Sequence, residues 1–141
     1  MKINKSLWIL GIIILTLSLA GCSNKDPNLS SQTWQLVSYG LVDNPNAAAP
    51  ALSTSMTFDN TGTMNANMGC NSISGNYKVS SGHLTLSPLT STMMACPGNG
   101  SEKQESAFIS LFNGPVEYRI NGRILTISSN NDQNVLVFSG K

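Results

Sequence analysis

The chain has 141 residues, a formal net charge of +1 at neutral pH and only 11% charged side chains. That balance leaves no polybasic stripe to hold nucleic acid or anionic lipid. Ser, Thr, Asn and Gly are abundant instead, a neutral-polar composition that suits an extracytoplasmic β-rich protein better than a helical bundle.

The first element is a leader. Lys2 and Lys5 precede an apolar run from Leu7 to Leu19, shorter than the about 20 residues that a membrane-spanning helix needs. A basic start, a short apolar run and small residues before a break make residues 1–21 a secretory signal peptide. The break, Leu19-Ala20-Gly21-Cys22, resembles the lipobox of bacterial lipoproteins, in which the cysteine becomes the lipid-bearing residue. Cys22 is therefore the expected lipidation site. Ser23 follows it where an aspartate would favour inner-membrane retention, so the expected location is the outer membrane facing the periplasm, or the outer face of the cytoplasmic membrane in a host without one. Cleavage removes Lys2 and Lys5 and leaves six basic against seven acidic side chains, so acyl chains rather than charge would hold the protein to its membrane. Residues 22–32 are polar without apolar periodicity and read as a flexible tether.

About 110 residues remain, enough for one small domain over 33–140 with a single core. "WQLVSYG" from Trp34 reads as a strand and residues 41–52 as a loop. Turn signals at Asp59-Asn60-Thr61-Gly62, Ser81-Gly82 and Asn121-Gly122 then separate short alternating runs, and Asn121-Gly122 is the best candidate for the central pair of a type I′ hairpin. One segment has a different period. Ser101 with Gln104 three residues on fits a capping box, and Ala107, Phe108, Leu111 and Phe112 share one helical face before Asn113-Gly114-Pro115. Beyond it, Val116, Tyr118 and Ile120 can share a strand face, as can Ile124 with Thr126 or Leu125 with Ile127. "VLVFSG" supplies the last strand, with Val135, Val137 and Phe138 assigned inward. The predicted fold is α+β: one small domain, a curved and partly barrel-like antiparallel sheet packed on one helix.

Several blocks together resemble the META domain, formerly a domain of unknown function and found in the heat-shock protein HslJ. They are Trp34 to Gly40, "GCNSISGNY" at 69–77, "LTSTMMAC" at 89–96, the helix with Glu105 and Phe108, and "YRINGRILTI" before the closing strand. The motif residues are Gly69, Cys70, Asn71, Gly75 and Tyr77, with Thr92 and Cys96 downstream. The resemblance implies a small α+β domain, secreted or lipid-anchored, with links to stress response. It implies no enzymatic activity and no agreed ligand.

With Cys22 acylated, Cys70 and Cys96 form an even pair in an oxidising compartment, and a disulfide between them is expected. Beside it, Asn71 is expected to bond neighbouring backbone in a turn, Gly75 to mark a bulge or close approach, and Tyr77 to bury its ring with a polar tip. A competing reading makes the cysteines a copper or redox sensor, with Met64, Met68, Met93 and Met94 as soft ligands. Methionines also fill gaps in a β core. Catalysis finds little support: His83 is the single histidine, no nucleophile motif surrounds Cys70, and Asp43, Asp59, Glu102, Glu105, Glu117 and Asp132 are scattered. The expectation is a monomeric, non-catalytic envelope protein without a cofactor or metal, bound to the membrane through its lipid and to an unknown protein or small molecule. Its alternative is an inhibitor of an extracellular hydrolase.

Overall fold

The structure is a computed structural model and describes residues 25–98, 100–129 and 131–141. The signal peptide and Cys22 lie outside the described residues. Among those described, nine strands alternate along the chain with tight turns: β1 (Trp34–Leu41), β2 (Asn44–Ala47), β3 (Ser55–Phe58), β4 (Thr63–Asn67), β5 (Ser72–Ser80), β6 (His83–Ser91), β7 (Val116–Asn121), β8 (Ile124–Ser128) and β9 (Asn134–Gly140). All pairings are antiparallel, and β9 returns to β1 from Trp34↔Gly140 to Leu41↔Asn134. Eight strands thus close into a barrel, with the β6–β7 seam held only at His83↔Glu117 and Leu84↔Val116. β2 stays outside the ring. It shares one edge of β1 with β3, which pairs at Trp34 and Gln35 while β2 pairs from Ser38 to Leu41.

The barrel interior is filled. Trp34, Met56, Met64, Leu125, Ile127 and Phe138 are each fully buried, and each such side chain contributes roughly 1.5–3 kcal/mol of apolar burial. Met56 and Phe58 belong to this core. Two short helices cover the ends. α1 (Pro27–Ser30) places Leu29 under the end where β1 begins, and its Leu29 carbonyl accepts the Trp34 indole N–H at 2.8 Å. α2 (Ser101–Leu111) covers the other end with Phe108, Leu111 and Phe112, as its apolar spacing predicts, and the Phe108 and Phe112 rings lie 4.8 Å apart.

Five local expectations are corrected. Residues 25–32, expected in the tether, are docked from Lys25 onward: Lys25 Nζ donates to the Asn60 carbonyl, and Asp26 caps α1 while accepting the Tyr118 hydroxyl. Residues 41–52 are not all loop, because β1 and β2 form a hairpin across Val42 and Asp43. The Asn121 turn is displaced by one residue. Asn121 pairs with Ile124, so Gly122 and Arg123 are its central pair, and only Gly122 has a positive φ, the pattern of a type II′ turn. The turn with two left-handed central residues is at Ser81-Gly82. In β9 the inward residues are Leu136 and Phe138, whereas Val137 is half-buried. The capping box does not form. Gly100 is the N-cap, and Gln104 is fully buried, its carbonyl accepting the Ala49 N–H at 2.7 Å and its amide donating to Thr54 Oγ1 at 2.9 Å. A glutamine drawn into two long-range bonds cannot also reach back to cap its own helix.

Candidate functional site

The Gly69-Cys70-Asn71 turn joins β4 to β5 at the α2 end of the barrel. Gly69 is required by packing, since a Cβ there would lie 2.9 Å from Leu52 Cβ. Cys70 is bridged to Cys96, as expected, with Cα atoms 6.3 Å apart. The Asn71 side chain does not make the expected bond to the backbone of its own turn; Asn67 Oδ1 does that by accepting the Gly69 N–H at 2.8 Å, and Asn71 reaches distant segments instead. Its Oδ1 accepts from Met94 N at 2.8 Å and Thr92 Oγ1 at 3.0 Å, and its Nδ2 donates to Glu105 Oε2 at 2.8 Å and to the Met94 carbonyl at 3.3 Å. All four hydrogen-bonding positions of the amide are used. One side chain therefore ties the turn, the 92–96 loop and α2 together. Thr92 extends the network by accepting the Ser72 N–H at 3.0 Å, and Ser91 donates to Glu105 Oε1 at the same distance.

The remaining motif residues support this corner from the barrel wall. A Cβ on Gly75 would sit 2.7 Å from the Pro88 carbonyl oxygen, and the β5–β6 register shifts between Gly75 and Tyr77. The expected bulge and the expected close approach are thus both present. Tyr77 is buried, stacks edge-on against Phe58 at 5.0 Å and donates its hydroxyl to the Asp59 carbonyl at 2.8 Å. Asp59 in turn organises the β3–β4 turn: its Oδ1 accepts from Thr61 Oγ1, Thr61 N and Thr63 N. The Thr61 hydroxyl bond, then the Thr63 backbone bond, hold its carboxyl below the usual carboxylate range.

The soft-metal reading of Cys70 and Cys96 gains no support from this geometry. The two thiols are joined, Met64 and Met68 are fully buried in the core, and Met93 and Met94 are 95% and 60% exposed. The four thioethers do not converge. His83 is equally remote: it opens β6 beside Ser80, whereas Cys70 lies at the far end of the same long hairpin, next to the Ser72 strand start. Of the scattered carboxylates, Glu105 is committed to Asn71 and Ser91. Among the described residues no group of three or more His, Cys, Asp or Glu side chains could hold a metal ion.

Beside the corner, on the same end of the barrel, an open groove of about 500 Å³ runs between α2 and the β1–β2 and β8–β9 hairpins. Tyr39 and Asn46 line one wall, and Ser106 and Ser110 of α2 the other. No sequence motif marks it, because its residues come from five separate stretches of the chain. The nearest signal was the run of small polar residues on the exposed face of α2.

A closed eight-stranded antiparallel barrel, covered at its ends by two short helices and stapled at a Gly-Cys-Asn turn, defines the class of small disulfide-bridged β-barrel domains. The chain belongs to the META domain family, whose profile matches residues 27–141. The match starts at the first residue of α1, in keeping with the docked position of that helix. A protein from Burkholderia xenovorans, solved by NMR, is similar with a TM-score of 0.66 and 21% identity over 82% of this chain and 85% of that one. A DUF4847 family protein from Bacteroides vulgatus is similar with a TM-score of 0.55 and 14% identity over 80% and 94%. At such identities the likeness is one of fold. No curated protein matches the sequence.

Proposed function

We propose that this META domain protein is a non-catalytic lipoprotein of the cell envelope, anchored through acylated Cys22 and acting by recognition under envelope stress. The observation that carries the reading is the Leu19-Ala20-Gly21-Cys22 lipobox, placed directly before a disulfide-bridged domain. Two further features support it. An oxidising compartment is where such a bridge persists. Lys25 and α1 lie at one end of the barrel, whereas the Gly-Cys-Asn corner, α2 and the groove lie at the other, so an N-terminal anchor would present these surfaces away from the bilayer. Recognition fits better than catalysis, because the thiols are joined and Glu105 is engaged by its neighbours. With Ser23 after the cysteine, the outer membrane is the proposed destination in a host that has one.

The test is metabolic labelling with a fatty-acid analogue followed by fractionation. The wild type is expected to be labelled and to sediment with membranes, and Cys22→Ser to be unlabelled. A Cys22→Ser protein that still carried label would overturn the reading.

A second reading, hydrolase inhibition, is favoured by the 92–96 loop. It is held by Asn71 and the disulfide while exposing Met93 and Met94, and a pre-ordered loop loses little entropy on entering a cleft. Slowed turnover of a lysozyme or an envelope protease by the wild type, relieved by Met93→Asp, is the expected result on this reading; unchanged turnover at protein excess removes it.

A further inference from the structure

The protein has three tyrosines, and two of them are satisfied internally: Tyr77 donates to the Asp59 carbonyl and Tyr118 to Asp26 Oδ2. Tyr39 differs. It is only 9% exposed and lines the groove, yet its hydroxyl has no hydrogen-bond partner among the described residues. Buried tyrosine hydroxyls ordinarily find one. No buried polar atom among the described residues lacks a partner, so this hydroxyl reaches solvent, and Tyr39 meets it at the groove.

Around Tyr39 the groove is lined by exposed, neutral polar side chains. The amides of Asn46 and Asn134 and the hydroxyls of Ser106 and Ser110 also have no side-chain partner among the described residues. Each amide offers two donors and two acceptor positions, and each hydroxyl offers both roles. Between them lie apolar patches from Ala107, Leu111 and Val135. The two charged residues on the rim, Glu102 and Lys103, are of opposite sign and adjacent in α2, so they favour neither an anion nor a cation. The volume, about 500 Å³, falls in the range of small-molecule sites.

We propose that this groove binds a neutral oligosaccharide, with Tyr39 and Asn46 as its principal hydrogen-bonding residues. A sugar presents vicinal hydroxyls that both donate and accept, together with apolar C–H faces, and the lining offers the complement of each. A charged peptide would find no opposing field, and a purely apolar ligand would strip water from five polar groups without replacing its hydrogen bonds. The inference deepens the recognition reading by naming a ligand class, and it rests on that reading only for its setting in the envelope.

The experiment is ligand-observed saturation-transfer NMR on the full chain in zwitterionic detergent micelles, with chitotriose, maltotriose and cellotriose as probes. At least one is expected to receive saturation, with a Kd of about 1 mM or tighter. Tyr39→Phe keeps the buried ring and removes only the unpartnered hydroxyl; Ser106→Ala changes an exposed helical position that the fold does not use. Each is expected to weaken binding about five-fold with an unchanged melting temperature. No transfer to any trisaccharide overturns the proposal, as does transfer of equal strength in both variants, which would place the sugar elsewhere. Labelled, membrane-bound protein without sugar binding would remove this proposal alone and leave the anchoring reading standing.

Discussion

Asn71 is a single side chain on which three segments depend. Truncation to alanine would leave the Met94 N–H, the Thr92 hydroxyl and the Glu105 carboxylate short of a partner, a loss of about 2–3 kcal/mol for partly buried groups. Denaturant unfolding of Asn71→Ala should therefore show a lower midpoint with an unchanged slope; a midpoint equal to wild type would mean that the disulfide alone holds the corner. Asp59 makes a prediction in pH. Its folded-state pKa is lowered from the ordinary 3.8, so its stabilisation is fully present above that value and is lost as pH falls through the folded one. The melting temperature of Asp59→Asn should accordingly lie below wild type at neutral pH, and the gap should close as acid is added. Gly75 was legible in the sequence as a bulge, because a lone glycine weakens an alternating strand and is placed there where the ladder bends or another backbone comes close. Asn71 was legible only as a turn residue, because nothing local shows that its partners lie 21 to 34 positions downstream.

The same division appears among the elements. α2 was readable from its apolar spacing, and the hairpins at 59–62, 81–82 and, within one residue, 121–122 from their turn residues, whereas the β1–β2 hairpin was not. α1 was not, since four residues carry no periodicity and only the docked Leu29 is buried. What holds α1 is tertiary: the Trp34 indole bond, and the Tyr118 hydroxyl on Asp26 at 2.8 Å. Burial, and then the bond to Asp26 and its negative charge, hold Tyr118 well above the ordinary tyrosine range; burial raises Tyr77 as well, with the charges of Asp59 and Asp26 adding to it. For a group raised in the folded state, the stabilisation is complete below the unfolded value of 10.0 and is lost as pH climbs toward the folded one. Thermal melts should thus fall steeply in strong alkali. Tyr118→Phe should cost about 1 kcal/mol at neutral pH and show a shallower alkaline decline. An equally steep decline would place the alkaline sensitivity elsewhere.

At the scale of the molecule, barrel and staple divide the stabilisation. The Cys70–Cys96 bridge spans 26 residues, and closing a loop of that length contributes roughly 3 kcal/mol by restricting the unfolded chain. That is a sizeable share of the about 5–15 kcal/mol typical of a folded protein. The double variant Cys70→Ser, Cys96→Ser should still fold, because the barrel closes without the bridge, but with a correspondingly lower unfolding free energy. Wild-type protein treated with reductant should approach the same value. Alkylation and intact mass before reduction should find neither of these thiols free; both free in protein taken directly from the envelope would overturn the staple.

By itself the sequence determined where most strands run, which face of α2 is apolar, that Gly75 breaks a strand, and that Cys70 and Cys96 form a pair. Each of these is written in local periodicity, turn chemistry or a count of thiols. Only the tertiary structure decided that Gln104 leaves its helix cap for Thr54 and Ala49, that Leu136 rather than Val137 faces the core, and that β2 pairs outside the ring. It alone also left Tyr39 with an open hydroxyl beside a polar groove. The physical reason is common to all four. Periodicity reports what one segment can bury, whereas hydrogen-bond satisfaction and barrel closure are set by residues such as Gln104 and Thr54, 50 positions apart, that meet only once the chain has folded.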